Sequence, residues 1–152
     1  MLGRRLITSA QVVLQDDPAI DHAACSYAAY VEAGYDVSKL AFVSGEQPTV
    51  FHIKPLTYRQ RMTRDDITQT GSRIHYIFRA GLVGVDNYQL GDGPAPSVQR
   101  EGDASSLVSV EWMERMGLPD SHMVPVVLAI TAISEAALPL SKRSGPVSGA
   151  EG

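Results

Sequence analysis

The sequence predicts an α+β fold, mainly helical, with one short strand or small sheet, about four helices and one long polar loop. Three observations carry this. Apolar residues recur at helical spacing in 19–34, 67–81 and 119–138. A single run, "TVFHIK" (Thr49–Lys54), alternates as a strand does. Residues 86–106 are rich in turn formers and lack periodicity. The chain has 152 residues, which suits one domain. Its expected limits are 1–140, followed by an extended tail, "SKRSGPVSGAEG" (141–152), of linker composition.

In chain order, "AIDHAACSYAAYVEAG" (19–34) predicts a helix capped by Asp16 or Asp17, with Pro18 in its first turn and Gly34 at its end. "DVSKLAFVSGEQ" is a connection with a short apolar piece. In the strand, Val50, His52 and Lys54 share one face, and Phe51 and Ile53 the other. Thr57 is placed to cap a helix beginning "YRQRM", which Asp65, Asp66 or Thr68 continue or restart. Ile67, Gly71, Ile74, Ile77, Phe78 and Gly81 then form one stripe, with the two glycines admitting a close neighbour, and Gly81 or Gly84 ends the helix. "DNYQLGDGPAPSVQREGDASS" (86–106) is the long loop, and Asn87–Ser106, like the tail Ser141–Gly152, is expected to lie mostly outside the core and to touch other chains. Ser109 caps "VEWMERM", with Glu111 and Glu114 in its first turns. The last helix, 119–138, carries Val126, Val127, Ile130, Ile133 and Ala137 in a stripe. There Pro125 either kinks the helix or marks a start near Met123.

Net charge is −4, unevenly spread. Lys54–Arg79 holds six basic and two acidic residues, hence +4, and the remainder holds seven against fifteen, hence −8. Such asymmetry suits contacts between complementary faces of copies or partners. The candidate partner-contact residues are Lys54, Arg59, Arg61, Arg64, Arg73, Lys142 and Arg143. Tyr58 among these arginines also fits a phosphate-contacting patch, but a sequence pI near 5.5 makes DNA the less favoured partner.

No catalytic, cofactor or metal-binding residues are assigned. There is no G-x-x-x-x-G-K-[ST], G-x-G-x-x-G or G-x-S-x-G sequence. A calcium loop read from Asp86 puts Tyr88 and Leu90 where oxygen ligands belong, and Ser97 where a bidentate Glu is needed. His22, His52, His75 and His122 are scattered. The adjacent acids Asp16–Asp17 and Asp65–Asp66 do not face each other on a helix, so capping explains them better than acid–base chemistry. The lone Cys25 lies among alanines and excludes an intrachain disulfide. No apolar run is long enough to span a membrane, and "MLGRRLITSA" lacks a signal h-region, so a soluble, reducing compartment is expected.

Three pieces, "LAFVSGEQPTVFHIKPLT" (40–57), "AGLVGVDNYQLGDG" (80–93) and the helical end 118–141, follow an N-terminal helix. In this order they resemble small proteins encoded among the head and tail genes of tailed bacteriophages. The resemblance covers about two-thirds of the chain, and its motifs are structural. It implies a non-enzymatic virion structural or assembly protein, assembled in the bacterial host cytoplasm and bound to other phage proteins and to copies of itself. The alternative it implies is a tail assembly chaperone absent from the mature virion.

Overall fold

A computed structural model describes residues 7–102 and 106–136. They form an α+β fold: a three-stranded antiparallel sheet, order β1-β2-β3, and a small two-stranded ribbon, with five helices among the described residues. The sheet is β1 (Ala10–Val12), β2 (Val50–Ile53) and β3 (Leu82–Asp86). β2 is its centre, pairing Val12 with Phe51 on one side and Phe51 with Val85 on the other. Its alternation is as predicted. Phe51 and Ile53 are fully buried, while Val50 and His52 on the opposite face stay partly open.

Helix α1 (Tyr27–Glu32) is much shorter than predicted. Asp17 and Asp21 do not cap a long helix; their side chains accept the N–H groups of Ala19 and Ala23 two residues on. Such local bonds compete with a helix. Ile20 is held instead in a bridge to Phe42, and the cap is Ser26, whose hydroxyl accepts from Ala29 N at 3.2 Å. A 3₁₀ turn (Val37–Lys39) follows.

Helix α2 (Tyr58–Asp66) begins with the predicted Thr57 in a full capping box, Thr57 and Gln60 bonding each other's backbone. The chain restarts as α3 (Thr70–Gly81), where Ile77, Phe78, Ala80 and Gly81 are buried. Gly81 is the close approach that the stripe predicts, against Ile130, whereas Gly71 faces open space. α3 ends at Gly81, one of the two expected ends, and passes directly into β3, a strand unforeseen in the sequence because Gly84 interrupts its short apolar run.

No residue of 87–102 is fully buried, as expected of a segment mostly outside the core, but the segment is not a structureless loop. β4 (Gln89–Leu90) and β5 (Gly93–Pro94) form a ribbon, and Tyr88, Leu90, Ala95 and Val98 pack against the main core. Partly buried polar anchors hold the segment. Arg100 donates to the carbonyls of Leu82 at 2.5 Å and Ser106 at 2.7 Å, and Trp112 Nε1 donates to Pro96 O at 3.1 Å. Helix α4 (Val110–Met116) has its predicted cap, Ser109, and ends on Gly117 in the left-handed region, φ 55°. Helix α5 (Asp120–Ala136) runs through Pro125. Proline removes one helical hydrogen bond, and the carbonyl it leaves is that of Ser121, an exposed residue. Val126, Ile130 and Ile133 of the predicted stripe are buried; Ala137 lies outside the described residues.

The core joins both sheet and helices through Phe51, Ile53, Phe78, Leu82, Trp112 and Ile130. A smaller cluster of Val13, Ile20, Tyr30 and Leu40 sits beyond β1.

Candidate interaction surface

Two surfaces stand out: helix α2 and a groove on the far flank of α5. α2 has no buried residue, and its hydrogen-bonded cap rather than a core face defines it. The buried Leu56 fixes its start, with its N–H donated to Ser134 Oγ at 2.8 Å. On the open face Tyr58 is 66% and Met62 51% exposed, one turn apart, with exposed Arg59 between them. The Arg61 guanidinium lies 5.8 Å from the Tyr58 ring centroid, which fixes the ring.

The predicted cations divide into two groups. Arg61 donates to Leu56 O at 3.2 Å, Arg64 pairs with Asp65 at 2.9 Å, and Arg73 donates to Ile67 O at 2.7 Å. These three direct their N–H groups into their own chain. Arg59 is exposed and makes no side-chain hydrogen bond with the described residues. Lys54 is half-buried at the end of β2; burial, then the charge of Arg100, holds its pKa below the ordinary lysine value. Lys142 and Arg143 lie outside the described residues.

The groove, of about 690 Å³, runs between the residues leading into β1, the end of α1 with the following turn, and α5. Its lining is mixed: Val31, Tyr35, Val37, Ala132 and Ile133 are apolar, Thr8, Ser9 and Gln11 are polar, and Glu32 and Asp36 supply carboxylates. Tyr35 has φ 60°, an uncommon conformation for a bulky residue. Its N–H bonds Tyr30 O at 3.1 Å, and its ring meets the Tyr30 ring edge-on at 5.5 Å. The wall is thus fixed before any partner arrives.

Tyr30 also closes the sheet. Its hydroxyl accepts from Val13 N at 3.0 Å and donates to Gln11 O. Tyr27 donates to Val13 O at 2.6 Å. These are the backbone groups that a fourth strand would use. Burial pushes both phenols up, Tyr27 to about 12.

The histidines find separate partners. His52 Nε2 lies 2.7 Å from Asp86 Oδ2, His122 Nδ1 is 2.8 Å from the Tyr88 hydroxyl, His22 donates to Gln15 O at 2.9 Å, and His75 is exposed on α3. Among the described residues no three His, Cys, Asp or Glu side chains are grouped to hold a metal, and no helix is long and apolar enough to cross a membrane.

Sequence reasoning picked out the arginines of α2 but not Met62. The available signal was the spacing of Tyr58 and Met62 on an otherwise polar helix. Glu32, Ala132 and the rest of the groove were not legible, because distant segments build it. No protein-family model, curated protein or solved structure matches the chain.

Proposed function

We propose that the protein is a non-enzymatic structural or assembly component of a tailed-phage particle, working through protein–protein contacts. The observation that carries the contact role is α2, a capped helix with nothing buried that displays Tyr58 and Met62 beside a free Arg59. Exposed aromatic and arginine side chains on a fixed element are what interface centres are built from. The sequence resemblance supplies the phage setting. A tail assembly chaperone that leaves before maturation fits the same surface. Binding to DNA fits less well, because Arg61, Arg64 and Arg73 already donate to their own chain.

The test is quantitative mass spectrometry of purified particles and assembly intermediates. It compares the natural chain with a Tyr58→Asp, Met62→Asp double variant. The expected result is the natural chain at fixed stoichiometry and the variant depleted. Presence in intermediates alone selects the chaperone role. Absence from both overturns the proposal.

A further inference from the structure

The exposed face of α2 and the groove are complementary in chemistry but cannot meet within one chain. Leu56, at the foot of α2, bonds Ser134 of α5, while Ala132 of the same helix lines the groove. Helical residues advance about 100° each, so these two positions point about 200° apart around α5. The α2 foot and the groove therefore flank α5 on opposite sides.

We propose that α2 of one copy docks into the groove of the next, giving a head-to-tail assembly of this chain; this rests on the contact role assigned above to α2. Tyr58 and Met62 would enter along the apolar part of the groove, between Val31, Tyr35 and Ala132, at the one-turn spacing by which an amphipathic helix anchors. Arg59 would meet Glu32. The charge supports a second copy as occupant: +4 over Lys54–Arg79, −8 over the remainder.

Such a contact joins two different surfaces, so it propagates and yields a closed ring or an open filament rather than a two-fold dimer. A nine-residue helix offers less area than a standard interface of about 1,600 Å². Each contact is therefore weak, and assembly depends on concentration until several act together.

Sedimentation velocity over a concentration series tests this with Arg59→Glu and Glu32→Arg. Neither residue is part of the core. Each variant alone should associate at least roughly tenfold more weakly, because like charges then face each other. An equimolar mixture should recover, since every contact in an alternating chain again pairs Arg with Glu. As a second readout in a Cys25→Ser background, Met62→Cys mixed with Ala132→Cys should cross-link between chains on oxidation.

A natural chain that stays monomeric overturns the proposal, as does cross-linking of Met62→Cys only to itself. If the chain is monomeric yet Tyr58 and Met62 are still needed for incorporation into particles, the contact role stands and the self-docking fails. Self-association by a chain absent from particles and intermediates gives the reverse outcome.

Discussion

Replacing Gly81 by alanine tests how tightly α3 is set against α5. A methyl group there would lie 2.6 Å from Ile130 Cγ2, 2.7 Å from Cδ1 and 2.9 Å from Cγ1. Ile130 is fully buried, and a β-branched residue within a helix has one favoured χ1, so it cannot swing aside. Overpacking of this kind costs about 1–3 kcal/mol. Alanine returns about 1 kcal/mol by its better helix propensity. The clash involves three atoms of a constrained side chain, so the upper range applies and the net loss should be about 1–2 kcal/mol. For a chain of this size that lowers Tm by about 2–8 °C. Urea unfolding should show a lower midpoint with an unchanged slope. In the Gly81→Ala, Ile130→Ala double variant the losses should add to less than their sum, because the second change removes the obstruction. A Gly81→Ala protein as stable as the parent, or more stable, would refute the close approach.

Tyr30→Phe should cost about 1–3 kcal/mol in urea unfolding, since Val13 N–H and Gln11 C=O lose their partner at a buried site. Thr57→Ala removes half of the capping box, worth about 1 kcal/mol. As α2 buries nothing, the change should appear as faster amide exchange within α2, with global unfolding nearly unmoved. Alkaline stability should follow Tyr27 and Tyr30, both raised by burial above the ordinary 10.0, Tyr27 to about 12. A raised folded value means that the stabilisation is complete below pH 10 and is lost as pH climbs towards 12. Tyr27→Phe should flatten that decline in a stability series followed by circular dichroism.

The parts of the fold specified locally were legible in the sequence. Thr57 and Gln60 form their capping box within one turn, Ser109 caps α4 in the same way, and the alternation of β2 sorts Phe51 and Ile53 inward. Errors arose where distant groups decide the outcome. The alanine-rich stretch before Tyr27 has helix propensity, but the Ile20–Phe42 bridge and the aspartate side chains draw it into turns. The polar composition of 87–102 suggests a solvated loop, yet Arg100 reaches the Leu82 carbonyl 18 residues back and the indole of Trp112 reaches the Pro96 carbonyl from 16 residues on. Of the interaction surface, the charged half of α2 was visible, and the groove was not.

The tyrosine hydroxyls on β1 have a consequence for solubility. An unpaired strand edge is a template for uncontrolled β-pairing between molecules. Here that edge is masked at Gln11 and Val13 by two tyrosine side chains from α1, a helix of only six residues. Short helices open at little free-energy cost, well before the whole domain unfolds. Brief fraying of α1 would therefore bare a preformed strand on an otherwise folded molecule. Fibrous deposits would then grow from native-like protein, at a rate set by the seating of two phenols.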